Sequence, residues 1–326
     1  MNDVLLIGTG RMGRAYVAVL KALNKNIVAI GRSEEGTDAF TAETGIKAHA
    51  GGLSAYISAG NAVPAYAIIA VDPSQLYAVT KEAIAAGCKN ILVEKPGALF
   101  KEELIELETQ AKAKGTKVEI AYNRRHLASV LKAKEIIKEK GGVKSFTFEF
   151  NERTNVRSVI AQLGVEKQTE ERWFIANSTH VIDTAFYLCG EPHELDGFSA
   201  AGPLWAPLPS IFSGAGITER GIPFSYHANW EVPGPWDVVI GVEGGNIMLR
   251  PLEMVAFERD GKIEPIEFDN EIDQKYKPGL YRQVEAFLRG TSNLPTLAHQ
   301  ITRFTWDERI WNGRLLSRKF CKGSDT

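Results

Sequence analysis

The chain has 326 residues, with 38 lysines and arginines against 40 aspartates and glutamates, a net charge of −2, and a composition 44% hydrophobic and 24% charged. That length accommodates two domains with ordinary globular cores. The near-neutral balance excludes the basic stripe of a nucleic-acid binder, and no apolar run approaches membrane-spanning length.

The first ~120 residues alternate strand and helix signals, which predicts parallel βαβ units. Residues 4–7 form a continuous apolar run, as in a sheet buried on both faces, followed by a helix over 11–23 and a second strand over 27–30. A third strand covers 66–71 and ends at Asp72-Pro73, an N-cap residue with proline at the first helical position. The helix so started runs to Gly87, a strand covers 91–93, a helix covers 101–114 and closes at Gly115, and a strand covers 118–121. This order predicts a doubly wound sheet, whose ligands bind beyond the carboxyl ends of the strands.

The pattern changes after Tyr122. A helix over about 127–140 ends in Gly141-Gly142, an alternating strand covers 146–150, and a shorter helix follows His180 with Gly190 and Pro192 as stop signals. Residues 195–268 read as strands and turns, including 224–230 and 238–242, and the last ~45 residues return to helix. The predicted fold class is therefore α/β. A Rossmann-type doubly wound parallel sheet occupies residues 1–122, and residues 123–326 form an α+β domain with an open, mostly antiparallel sheet. The three cysteines, Cys88, Cys189 and Cys321, have no CxxC spacing and suit a reducing compartment. No basic segment precedes an apolar stretch at the N-terminus, so a cytoplasmic location is expected.

Gly8-Thr9-Gly10-Arg11-Met12-Gly13 follows the first strand and opens the first helix. Gly8 permits the tight turn, Gly10 lets phosphates approach the backbone, and Gly13 lets the helix pack on the strand. The helix N-terminus behind them offers N–H groups and partial positive charge to a pyrophosphate. Where an NAD site usually carries a carboxylate, about 20 residues past the turn, the chain reads Gly31-Arg32-Ser33. An arginine and a hydroxyl suit a 2′-phosphate, which favours NADP; Glu34 and Glu35 just beyond keep NAD possible. Val71 and Glu94 close strands at the same sheet edge and are expected to meet the cofactor, with Lys95-Pro96 directly after.

GTGRMG at the N-terminus, Glu94-Lys95-Pro96 after a strand, Tyr122-Asn123-Arg124-Arg125 after the last parallel strand, and His180-Val181-Ile182-Asp183 opening a helix occur in this order. In these motifs and their spacing the chain resembles the glucose–fructose oxidoreductase / inositol dehydrogenase (Gfo/Idh/MocA) family over essentially its whole length. The resemblance implies NAD(P)-dependent hydride transfer at a carbinol carbon of a sugar, sugar acid, cyclitol or nucleotide-sugar, by a homodimer or homotetramer associating through the open sheet. It implies that Lys95 hydrogen-bonds the reacting oxygen, where an ammonium stabilises developing alkoxide charge. It implies that His180 exchanges the hydroxyl proton, a step suited to a group titrating near neutrality. Tyr122, Asn123, Arg124, Trp173 and Asn177 are the expected substrate contacts. Many members carry an aspartate four residues before the histidine, where this chain has Ala176. Two alternatives accompany the dehydrogenase: an enzyme that holds its cofactor tightly and uses transient oxidation to cleave a glycosidic bond, and a non-catalytic nucleotide sensor. The remaining histidines, His49, His126, His193, His227 and His299, show no ligand spacing, and no metal is expected. Trp205, Trp230 and Trp236 lie among predicted strands and are expected to pack the sheet.

Overall fold

The computed structural model describes residues 3–152, 156–162 and 164–315. Strands and helices alternate at first: β1 (Asp3–Ile7), α1 (Arg11–Ala22), β2 (Asn26–Ile30), α2 (Glu34–Thr44), β3 (Ala48–His49), α3 (Gly52–Ser58), β4 (Tyr66–Ile69), α4 (Leu76–Ala85), β5 (Asn90–Glu94), α5 (Lys101–Lys114) and β6 (Lys117–Ala121). Then come α6 (Ala128–Glu139), β7 (Ser145–Phe150), α7 (Val156–Gln162), α8 (Lys167–Glu171), a π-helical turn (Phe174–Ser178) and α9 (Thr179–Cys189). Seven strands come next: β8 (Pro192–Ala200), β9 (Ile211–Thr218), β10 (Pro223–Asn229), β11 (Trp236–Val242), β12 (Gly245–Leu249), β13 (Ala256–Arg259) and β14 (Lys262–Pro265). The described residues close with α10 (Glu271–Lys275), α11 (Leu280–Arg289), α12 (Leu297–Trp311) and β15 (Arg314–Leu315).

Among the described residues, 3–126, 166–172 and 271–303 form one compact unit, and 127–165, 173–270 and 304–315 form another. The first is built on six strands in the order β3-β2-β1-β4-β5-β6, every neighbouring pair parallel. Leu5, Leu6, Ile68, Ile69, Ile91, Leu92 and Val93 are fully buried, as a parallel sheet covered on both faces requires. Strand order reverses between β1 and β4, which opens a crevice beyond their carboxyl ends. The helix predicted from Pro73 begins as a single 3-10 turn (Pro73–Gln75), capped by Asp72 Oδ1 accepting from the Ser74 N–H, and continues as α4. Strand β4 itself stops at Ile69, two residues short of the predicted end.

The second unit holds a nine-stranded sheet, β14-β13-β12-β11-β7-β10-β9-β8-β15. Its pairs are antiparallel except β7–β10 and β8–β15. Alternation along β7 buries Phe146, Phe148 and Phe150 on one face. Phe146 and Phe148 meet Phe186 of α9 edge-on at 5.9 Å and 5.5 Å, and Phe150 meets Phe174 of the π turn at 5.7 Å. Trp205 and Trp230 are buried together 4.9 Å apart.

Candidate active site

The glycine turn sits at the switch point of the parallel sheet. Gly8 has φ +123°, and a Cβ there would meet the Ala70 carbonyl oxygen at 2.2 Å. A Cβ on Gly13 would lie 2.0 Å from the Gly8 carbonyl oxygen, so both positions exclude a side chain. Around Gly10, by contrast, space is open. Helix α1 starts after Gly10 with no side-chain cap and no acidic residue in its first turn, which leaves its amide end for an external anion. A cavity of about 290 Å³ opens there, lined by Gly8, Thr9, Gly10, Arg32, Val71 and Asp72 among others. Arg11, Met12 and Gly13 form the first turn of α1 behind it. Ser33 does something its sequence position does not announce: its Oγ accepts from the Gly36 N–H at 3.2 Å and caps α2. The backbone turn, the open approach at Gly10 and the uncapped helix end fit a dinucleotide pyrophosphate.

At the tip of β5 the Lys95–Pro96 peptide is cis, and Lys95 is half-buried. Its neighbour Glu94 accepts from the Tyr16 hydroxyl at 2.7 Å, and Gln283 Nε2 donates to that hydroxyl at 3.3 Å. Burial pushes the Glu94 carboxyl above its ordinary value, and the Tyr16 hydrogen bond with the Lys95 and Lys277 charges draws it only partway back. Burial, reinforced by Glu94, likewise raises Tyr16. Beyond β6, Tyr122 is fully buried with its hydroxyl accepting from Gln300 at 3.1 Å, and Asn123 Nδ2 donates to the Pro278 carbonyl at 2.8 Å. These contacts fasten the strand end to residues 271–303; Arg124 beside them is half-buried.

In the second unit the π turn delivers the chain into α9, whose first turn carries His180. A π turn inserts an extra residue and re-aims the side chains beyond it. Its position is set by Glu152, a buried carboxylate that the motifs do not mark. Glu152 Oε1 accepts from Trp173 Nε1 at 2.9 Å and from Asn177 Nδ2 at 2.5 Å. The adjacent Asn151 carbonyl accepts from Trp236 Nε1 at 2.6 Å, and the Trp236 ring lies 6.1 Å from the His180 imidazole. The end of β7 therefore organises Trp173, Asn177 and Trp236 around the start of α9. Glu152 lies two residues past the end of β7, and Asn151 between them is buried as well, so the alternation of the strand does not mark it. Ala176 is buried in the same turn, as is Asp183 one turn into the helix. No group of three or more potential metal ligands occurs among the described residues, and none of their helices is long and apolar enough to cross a membrane.

No curated protein matches the chain. Solved structures share its fold over nearly the whole length. UDP-N-acetylglucosamine 3-dehydrogenase GnnA from Acidithiobacillus ferrooxidans is 15% identical with a TM-score of 0.76, covering 96% of this chain and 97% of its own. The WlbA dehydrogenase from Bordetella pertussis, in complex with NADH and UDP-GlcNAcA, is 16% identical with a TM-score of 0.72 over 95% and 94% of the two chains. Levoglucosan dehydrogenase in complex with NADH is 19% identical with a TM-score of 0.74 over 94% and 95%. At such identities the likeness establishes the fold. Residues 3–122 match the model of an oxidoreductase family described by its NAD-binding Rossmann fold. The match lies in the parallel-sheet domain, and it is over these residues that the chain is similar to that family.

Proposed function

We propose that the protein is an NAD(P)-dependent dehydrogenase or reductase acting on a carbinol carbon of a sugar, sugar acid, cyclitol or nucleotide-sugar, with NADP preferred. The observation that carries this reading is the cavity at the strand switch point, lined by Gly8, Gly10 and Arg32, in a sheet whose next strand but one from β1 is followed directly by Lys95. A bound nicotinamide supplies the hydride acceptor or donor. The amide end of α1 holds the pyrophosphate, and the Arg32 guanidinium takes a 2′-phosphate where Gly31-Arg32-Ser33 offers no carboxylate to repel it. The Lys95 ammonium stabilises negative charge on the reacting oxygen. His180 takes the hydroxyl proton in oxidation and returns it in reduction. Arg124, Trp173 and Asn177 hold the substrate, while Tyr122 and Asn123 fix the strand end beneath it. The sugar class is drawn from what the structurally similar proteins are named for. A second copy is expected on the sheet of the second unit, where Phe198, Ile217 and Ile263 are exposed, and the expected location is the cytoplasm.

Fluorescence titration of NADPH beside NADH tests this on wild type and Arg32→Ala. Tighter NADPH binding in wild type, weakened about tenfold or more by the substitution, is expected. Equal affinities would remove the NADP preference, and binding of neither would remove the function. Turnover is then sought with UDP-N-acetylglucosamine, levoglucosan and myo-inositol, where Lys95→Met and His180→Ala should abolish it while retaining cofactor binding.

A further inference from the structure

Residues 166–172 are flanked on both sides by stretches of the second unit, yet they pack with the first. Two polar fasteners hold them. The Thr169 hydroxyl, 2% exposed, donates to Asp72 Oδ1 at 2.7 Å and accepts from the Ser74 N–H at 3.2 Å. The Arg172 guanidinium donates through Nε and Nη2 to the Leu99 carbonyl, at 3.2 and 3.1 Å, and lies over the Phe100 ring at 4.8 Å. Both Asp72 and Glu166 line the cavity that Gly10 and Arg32 also line, so the first fastener is made on a wall of that cavity. Helix α8, which carries the first fastener and ends just before the second, reads Lys-Gln-Thr-Glu-Glu, in which only Thr169 is buried. With no apolar anchor in that helix, opening it exposes little hydrophobic surface, as in segments at the low-stability end of a fold.

We propose that residues 166–172 are a strap along the dinucleotide cavity, and that breaking the Thr169–Asp72 bond gates cofactor entry and exit. The proposal rests on the NAD(P)-binding function given above. A gate that must open in both directions governs association and release together. Loosening it raises both rates and leaves the equilibrium affinity nearly unchanged, whereas damage to the binding surface weakens affinity.

The test is stopped-flow fluorescence of NADPH binding and release on the full chain, comparing wild type with Thr169→Val, Thr169→Ser and Arg172→Met. Thr169→Val keeps the shape and loses the hydroxyl, and it should speed both association and release about fivefold, with Kd within about twofold. Thr169→Ser keeps the hydroxyl and should return wild-type rates. Arg172→Met loosens the second fastener and should act in the same direction, so the test survives if one variant fails to fold. Unchanged rates in both Thr169→Val and Arg172→Met, or a weakened Kd with unchanged association, would overturn the strap while leaving the cofactor site intact. Absence of NADPH and NADH binding in wild type would overturn the function and the strap with it.

Discussion

Glu94 is held by opposing influences, and the balance has a measurable sign. Burial raises its carboxyl above the ordinary value despite the Tyr16 hydrogen bond and the Lys95 and Lys277 charges. The folded protein therefore binds that proton more tightly than the unfolded chain. The resulting stabilisation is present at low pH and is lost as pH rises from the ordinary carboxyl value through the raised one. Glu94→Gln keeps an oxygen for the Tyr16 hydroxyl and removes the ionisation. Its urea midpoint should fall less than that of wild type between pH 5 and pH 8; parallel profiles would show that Glu94 does not titrate abnormally. Glu152 provides a second case at this scale. Glu152→Leu leaves the half-buried Trp173 and Asn177 donors without their shared acceptor, at about 1 kcal/mol for each bond lost, whereas Glu152→Gln still offers an amide oxygen. Urea unfolding should rank the variants wild type, Gln, Leu, and a Leu variant as stable as wild type would remove Glu152 as organiser of the π turn. Lys95 stands out in the sequence because a motif and a strand end mark it together. Glu152 does not, because it lies beyond the end of β7, where Asn151 and Glu152 are buried in succession and the strand's alternation no longer applies.

Among the elements, β7 carries a run of aromatic packing in the second unit. Phe148 stacks on Phe224 at 6.3 Å and Tyr226 at 5.7 Å and meets Phe186 edge-on, with no exposure. Phe148→Ala should cost about 3–5 kcal/mol, and Thr147→Ala on the outward face should stay within about 0.5 kcal/mol. Denaturant midpoints decide it, and similar losses for the two would contradict one-faced burial of this strand. Such alternation is what made β7 readable, as continuous apolar runs made β1, β4 and β5 readable. Between β2 and β4 the signals fail for physical reasons. Strand β3 has two residues, too few for any period, and α3 starts at a left-handed Gly52 whose sequence resembles a loop. Ser33 reads in the sequence as a hydroxyl at the expected cofactor edge, but its capping of α2 depends on a helix the pattern did not announce.

At the level of the whole molecule, the change from alternating strands and helices to a run of strands after Tyr122 is written in local periodicity. That residues 166–172 and 271–303 pack with the first unit is not, because periodicity names an element's buried face and not its long-range partner. The chain passes between the units at 126/127, 165/166, 172/173, 270/271 and 303/304, the last within α12. Units threaded together in this way should unfold in one step, since opening either one pulls strands of chain from the other. Two buried thiols report on them separately: Cys88 lies in the first and Cys189 in the second. Burial lifts the Cys88 thiol to about 11 and raises Cys189 well above its ordinary value, so at neutral pH each reacts through unfolding rather than from the folded state. In a Cys321→Ser protein, alkylation of both should be slow in buffer and should rise at the same urea concentration. Mass spectrometry of the labelled peptides resolves the two sites. If Cys88 becomes reactive at a clearly lower urea concentration than Cys189, the units open independently and the repeated crossing does not couple them.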